Sequence, residues 1–374
     1  MYGVALSQYL PYGGFRWLKD EEIANFNVLQ KGLDNESAIG YILEVDLLYP
    51  EELHDLHNDL PFCAENMIAP NGSSRLPKLL ANLCDKKRYV IHYRNLHQAL
   101  KHGLILKKIH RIIEFRQSDW LKTYIDKNTE MRQAATSDFE RDMYKLANNA
   151  IFGKCMEAVE KRVTVKLLDK WENKSGAVGA EKRIGKSQLH SLKIFNENFV
   201  AIQLKKMKVT FNKPIYVGFA VLDISKTVMY KFHYDFIKKK YKELAHLLYT
   251  DTDSLIYHIK TDDFYKDIRS NLSQFDTSNY DINNPYSMPL VNKAVLGVFK
   301  DETKGIPMLE FVGLRPKLYD YIIANPEVSN IRYKCIKKAK GIKRHVVKRL
   351  KHSAFRDCLN KKKYFCVDKT SLNL

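Results

Sequence analysis

The sequence predicts an α+β fold, on three observations. Strand and helix signals are mixed along the chain without strict β-α-β alternation, which argues against a doubly wound sheet. Apolar strands meet in pairs at short polar turns, as in "HLLYTDTDSLIYHI" (246–259) and "LEFVGLRPKLYDYII" (309–323). Long helical stretches run from about Trp120 to Lys161 and through "PIYVGFAVLDISKTVMYKFHYDFIKKKY" (214–241). At 374 residues and 45% hydrophobic content, the chain can fill cores for two or three subdomains.

In chain order, residues 1–30 read as a short apolar stretch, a Pro-Tyr-Gly-Gly turn and "FRWL". Residues 40–63 read as a strand followed by a polar stretch rich in His and Asp, and "APNGSSRLPK" (69–78) is a loop by its Pro, Asn-Gly and serines. "RYVIHYRNLHQALKHGLILKKIHRIIEF" (88–115) gives a strand, a helix ending at Gly103 and another strand. "ENKSGAVGAEKRIGKS" (172–187) is a loop, "FVAIQLKKMKVTF" (199–211) a strand pair, and "FDTSNYDINNPYSMP" (275–289) a loop. The stretch from 331 onward is basic, and the chain has no internal repeats.

The charge balance is lopsided, with 62 Lys and Arg against 43 Asp and Glu, a net +19. Such a surplus points to a polyanionic partner, because each phosphate neutralised releases condensed counterions. The six cysteines are scattered without a C-x-x-C pair, so neither a zinc site nor a disulfide framework is expected, and a reducing intracellular compartment is. No apolar run approaches the ~20 residues that span a bilayer. The N-terminus lacks the basic region of a signal peptide, so no membrane partner is expected.

Asp251 and Asp253 in "YTDTDS" stand two apart where two apolar strands meet. At a strand end, residues so spaced leave the same face with Cα atoms roughly 6–7 Å apart. Converging carboxylates are costly unless a cation neutralises them, so the turn is a candidate Mg²⁺ holder. An EF-hand is excluded, since Leu255 and Ile256 stand where that loop needs an oxygen ligand and a glycine. A sugar-nucleotide D-x-D site and an ordinary solvated turn are the rival readings.

Tyr249-Thr250-Asp251-Thr252-Asp253-Ser254 resembles motif C, Y-x-D-T-D-S, of the family B DNA polymerases. Upstream, "YKLANNAIFGK" (144–154) resembles their motif B, K-x-x-x-N-S-x-Y-G, through Lys145, Asn149, Phe152 and Gly153, with Ala150 in place of Ser and Phe152 in place of Tyr. At 100° per residue, Arg141, Lys145, Asn149 and Phe152 share an arc of roughly 80°. Phe139, Met143, Leu146 and Ala150 fall opposite, where a core-facing stripe is expected. "RPKLY" resembles the K-x-Y element of the same family, with Lys317 and Tyr319 expected on one face of a strand. From Ile331 to Lys363 there are 14 Lys and Arg against one acidic residue, Asp357. That density, with Lys338, Lys340, Lys343 and Arg344 at its centre, reads as a duplex-gripping thumb or a nuclear-localisation stretch.

Motif A of the family reads D-x-x-S-L-Y-P. "EVDLLYP" (44–50) fits it only by force, with Glu44 as the aspartate without a gap or Asp46 with two residues lost. Either is then a candidate third metal ligand. "MYGVALSQYLPYGGFRWL" (1–18) fits better, because it resembles the stretch after the motif A aspartate in Maverick/Polinton transposon polymerases. In that register Met1-Tyr2-Gly3 is the tail of motif A, its aspartate is encoded just upstream, and "EVDLLYP" is a look-alike.

The resemblance implies a right-hand polymerase: palm sheet, helical fingers, basic thumb and no exonuclease domain. Residues 1–115 would hold a palm remnant and a priming-type insertion, 116–160 the fingers, and 161–212 a second insertion. Residues 213–325 would form the palm and 326–374 an incomplete thumb. It also implies two-metal phosphoryl transfer with Mg²⁺ or Mn²⁺. Asp251 and Asp253 would hold metal, while Arg132, Arg141 and Lys145 neutralise a deoxynucleoside triphosphate. Asn149 and Phe152 would frame the base pair, and Tyr2 would gate the sugar. Gly153, Thr252, Lys317 and Tyr319 would contact primer-template DNA, and a terminal protein would be the primer. Without the motif A carboxylate, this chain is expected to be nearly inactive. The rival expectation is a non-catalytic DNA-binding remnant of a mobile element.

Overall fold

The computed structural model describes residues 1–30, 33–70, 76–172, 178–324 and 333–361. After a short helix α1 (Tyr2–Leu6), four antiparallel strands form the first sheet. They are β1 (Leu10–Trp17), β2 (Ile39–Leu48), β3 (Lys86–His92) and β4 (Ile105–Ser118), in the order β1-β4-β2-β3. The alternation in "IGYILEVDLL" puts Leu43, Val45 and Leu47 on one face, where they are buried with Ile91 and Ile112. Helix α2 (Tyr93–Lys101) covers that face with Tyr93, Leu96 and Ala99, and each fully buried large side chain is worth about 1.5–3 kcal/mol. The helix stops as expected at Gly103, whose φ of +99° is the left-handed turn past a helix end.

The expected Pro-Tyr-Gly-Gly turn does not form. Those residues lie inside β1, whose register against β4 slips between Pro11 and Gly13 and again between Gly13 and Arg16. The strand's partner lies about a hundred residues on, so the glycines build a bulge, with Gly14 at φ +68°, and no hairpin.

The helical region from Trp120 divides into α3 (Lys122–Ala134) and α4 (Asp138–Cys155). The break is a capping box: Ser137 Oγ accepts from the Glu140 amide at 3.2 Å, and the Glu140 carboxylate accepts from the Ser137 amide at 3.4 Å. The apolar stripe of α4 is not a core face. Phe139 is 77% exposed, and Met143 and Leu146 are exposed as well. Periodicity shows which side chains share a face and not what covers it. The described residues lay nothing over this one.

By its contacts the chain divides into two units, Met1–Asn148 with Ala220–Leu374, and Asn149–Phe219. The second holds an antiparallel sheet of β5 (Val163–Leu168), β6 (Leu189–Asn196) and β7 (Phe199–Lys205) in the order β5-β7-β6, over a core of Ala180, Val200, Ile202 and Leu204. The expected strand pair over 199–211 is one strand, because β7 is central and already paired on both edges. The expected loop at 172–187 contains a short helix, Ala180–Ile184, while 173–177 fall outside the described residues.

Helix α5 (Ile215–Tyr230), part of the first unit from Ala220 on, runs directly into a π-helix, Lys231–Lys238. Next comes the hairpin of β8 (Ala245–Asp251) and β9 (Ser254–Ile259). Beneath it lies a cluster of Phe232, Ile237, Tyr241, Ile268 and Phe275. The loop over 275–289 is paired only at Phe275–Asp276, with Phe299–Lys300. A three-stranded sheet follows, β10 (Met308–Arg315), β11 (Leu318–Ala324) and β12 (Tyr333–Ala339), then helices α6 (Arg344–Arg349) and α7 (His352–Lys361). Among the described residues no helix is long and apolar enough to cross a membrane, and Cys63, Cys84, Cys155, Cys335 and Cys358 are free thiols.

Candidate active site

Two tight hairpins of the first unit face each other. In one, Asp251 pairs with Ser254, so Thr252 and Asp253 form the two-residue turn. In the other, Arg315 pairs with Leu318, leaving Pro316 and Lys317 as the turn. Thr252 and Lys317 both have φ +60°. For a β-branched residue such as Thr252 that conformation is a true outlier. The amide of Asp253 donates to the carbonyl of Asp251 at 2.7 Å across Thr252, a strained γ-turn. Asp251 thus ends β8 and Asp253 lies in the acidic turn itself, exposed, while Asp251 is half-buried.

The hairpins interlock. Lys317 Nζ donates to both Asp251 oxygens, at 2.7 and 2.5 Å, and the Lys317 amide donates to the Tyr249 hydroxyl at 2.9 Å. The Tyr249 and Tyr319 rings lie 4.8 Å apart. The hydrogen bond to Asp251 raises the Lys317 ammonium above its ordinary pKa. Lys317 and Tyr319 are thus not two strand residues on one face: Lys317 is at the corner and Tyr319 is on β11.

The chain's first residues reach the same place. Tyr2 is raised, first by burial and then by Asp253, and is lowered by Lys317. Helix α1 is held by close packing, since a Cβ on Gly3 would stand 3.0 Å from Leu296 Cδ2. Lys293 Nζ ties the same loop to the Gln133 carbonyl of α3 at 3.0 Å, one residue from Arg132.

Other expected site residues lie elsewhere. Glu44 on β2 accepts from Arg111 Nε at 2.6 Å and from Arg88 at 3.2 Å, which hold its carboxyl below the usual range. Asp46 accepts from the Arg88 amide at 2.8 Å and pairs with His110 at 2.9 Å. Both are satisfied by their own sheet and do not join Asp251 and Asp253. Arg141 pairs with Asp138 one turn earlier on α4. Asn149, Phe152 and Gly153 belong to the second unit. Lys338 stands opposite Tyr319 in the β11–β12 ladder, the Lys340 amide donates to the Lys317 carbonyl at 3.0 Å, and Lys343 and Arg344 open α6. All four are exposed. Residues 326–332 and 362–374 of the expected thumb lie outside the described residues.

The family model for DNA polymerase type B, organellar and viral, matches residues 1–239. The chain belongs to this family. Its members are type B DNA polymerases, which use divalent metal ions. The match ends before the acidic hairpin, so the Asp251–Asp253 turn is read independently of it. No curated protein matches the chain in sequence. In fold, the chain is similar to Phi29 DNA polymerase complexed with primer-template DNA, in its post-translocation binary complex (TM-score 0.53, 15% identity), and to the orthorhombic crystal form of that polymerase (TM-score 0.52, 14% identity). Each likeness covers 95% of this chain and 51% of the other, so the chain spans about half the length of that polymerase.

Two participants at the site escaped sequence reasoning. Asp59, in the polar stretch after β2, accepts from the Leu247 amide of β8 at 3.1 Å and pairs with buried Lys238 of the π-helix at 3.0 Å. Tyr249 receives the Lys317 amide. Both residues stand inside recognisable motifs, but nothing local signals that they pair across 68 residues.

Proposed function

We propose that this chain performs template-directed DNA synthesis, transferring a deoxynucleotidyl group to a primer 3′-hydroxyl. The observation that carries the reading is the acidic turn of Asp251 and Asp253, locked through the Lys317–Asp251 pair to the corner of a second hairpin. Carboxylates for cations and cations for phosphates lie on adjoining elements, as phosphoryl transfer requires.

The donor set fits Mg²⁺. Asp251 and Asp253 are hard oxygen donors, and no group of three or more His, Cys, Asp or Glu among the described residues forms a closed cage. Mg²⁺ is characteristically held by one or two carboxylates together with waters and substrate phosphates. Two such ions would activate the primer hydroxyl and stabilise the leaving pyrophosphate. Arg132 and Lys145 neutralise the triphosphate, and Tyr2 packs beside the sugar. Lys317 and Tyr319 grip the primer end, and Lys338, Lys340, Lys343 and Arg344 hold the duplex as a thumb. The narrower likeness to transposon polymerases supports a protein primer.

Primer extension tests the reading. The chain should extend a primed template, and Asp251→Asn or Asp253→Asn should each abolish extension while leaving duplex affinity within a few-fold.

A second reading has its own observation. Among the described residues two carboxylates stand at the turn, while Glu44 and Asp46 are committed to Arg88, Arg111 and His110. Groups that act as a unit fail together, so a site short of one ligand can lose several orders of magnitude in rate. The chain then binds DNA without extending it, and salt-sensitive duplex binding with no incorporation is the result that selects this reading.

A further inference from the structure

The first sheet has a face that the proposed reaction does not use. In antiparallel ladders, residues directly opposite put their side chains on the same side. One rung runs Trp17, Ile113, Ile42, His92 across all four strands, and the next runs Arg111, Glu44, Val90 across three. Toward one end the face is closed, with Phe115 and His92 buried. Toward the other it is open. Trp17 is 59% exposed, Phe15 and Val90 are exposed, and Ile42 and Ile113 are half-buried between them.

Cations border the open part. The Arg111 guanidinium lies 5.4 Å from the centre of the Trp17 ring, and Arg111 and Arg88 share the single carboxylate of Glu44. Two guanidiniums on one carboxylate leave a net positive charge, and both arginine side chains stay mostly exposed. Glu44 acts as the anchor that fixes both.

We propose that this face binds single-stranded nucleic acid, with a base stacked on Trp17 and flanking phosphates on Arg111 and Arg88. Every base has a π-face, so an aromatic plate bordered by cations takes single strands without sequence preference. A duplex keeps its bases inside and offers this plate only its backbone. Four strands at ~4.8 Å spacing make a surface about 14 Å wide, room for roughly two nucleotides. The chain's net +19 favours this occupant over an acidic-poor peptide. The inference rests on the reading above that the partner is nucleic acid.

The test uses the full chain, a fluorescein-labelled oligothymidylate and an equally labelled blunt duplex, read by anisotropy at low salt. Trp17→Ala and Arg111→Ala should each weaken oligothymidylate binding by about tenfold and leave duplex affinity unchanged. Trp17→Phe, which keeps a ring, should retain most of it. Oligothymidylate binding untouched by Trp17→Ala and Arg111→Ala overturns the proposal and leaves the face to a protein partner. So does an equal loss for both probes. Duplex binding with no oligothymidylate binding overturns this inference alone, whereas failure to bind either probe removes the nucleic-acid reading with it.

Discussion

Lys317 Nζ and the carboxylate of Asp251 form a two-pronged ion pair at 2.7 and 2.5 Å, joining the corners of two hairpins 66 residues apart in sequence. The ammonium and a divalent cation want the same oxygens. Lys317→Met should therefore raise Mn²⁺ affinity in the absence of DNA by about two- to fivefold, the scale of a partly exposed pair. The same change should weaken binding of a primer terminus. Paramagnetic titration of Mn²⁺ checks the first part, and an unchanged affinity means the lysine does not compete for Asp251.

Thr252 is held at φ +60° between the two aspartates. Glycine takes that conformation without steric cost, so Thr252→Gly should stabilise the fold by up to about 1 kcal/mol in urea unfolding. It also removes the hydroxyl that donates to Asp251 Oδ1 at 3.2 Å and loosens the spacing of the carboxylates. A more stable and less active protein is expected. A loss of stability would mean that the hydrogen bond outweighs the strain.

Asp59 holds the start of β8 at one side and Lys238 at the other. Asp59→Asn keeps an oxygen for the Leu247 amide and the Lys238 ammonium, which share Oδ2, but leaves the buried ammonium without its counter-charge, beside the Ala245 carbonyl at 3.0 Å. Breaking a buried pair from one side costs about 3–5 kcal/mol. Asp59→Asn with Lys238→Met should recover much of that loss. Chemical denaturation of the single and double variants measures it, and simple additivity would show that the two residues are not coupled.

These residues also show how far the sequence could be read. The acidic hairpin was legible because alternation, turn and motif order fall within one short window. The corner at Lys317 was legible in principle, since Arg-Pro-Lys carries a proline at a first turn position, but the strand pattern on both sides masked it. Asp59 was not legible, because its contact with Leu247 spans 188 residues and an aspartate in a polar stretch has no periodicity. The α4 stripe failed for a different reason. Phe139, Met143 and Leu146 do share a side, and what lies over a helix face is a tertiary fact. Glu44 and Asp46 matched a motif only by spacing, and their own sheet supplies their partners.

Gly40 on β2 stands opposite Phe115, and an added Cβ would lie 2.4 Å from Phe115 Cε2 and 2.8 Å from Gln117 Oε1. The ring covers the glycine and closes the buried end of the Trp17 face. Gly40→Ala must push a buried ring aside, at a cost of about 1–3 kcal/mol. Gly40→Ala with Phe115→Leu should relieve part of it, and thermal unfolding of both variants reads the effect.

Acid should unfold this protein through its buried histidines. His57 and His233 are drawn down to about 4 chiefly by burial, each lowered further by neighbouring positive groups, and burial lowers His102 as well. His57 lies among Tyr49, Phe62 and Tyr234, with the Tyr49 hydroxyl 2.9 Å from its Nδ1. The same hydroxyl accepts from the Phe62 amide at 3.2 Å, tying the histidine into the core. A histidine with a lowered folded pKa binds its proton more readily in the unfolded chain. Its contribution is therefore fully present above about pH 6.5 and is lost as pH falls toward 4. His57 and His233 should each cost on the order of 2–3 kcal/mol by pH 4. Urea midpoints measured from pH 7 down to 4.5 should fall steadily, and His57→Gln should flatten the slope, since its amide oxygen can accept from Tyr49 without titrating. A pH-independent midpoint across that window would mean the histidines gain water or a counter-charge on protonation.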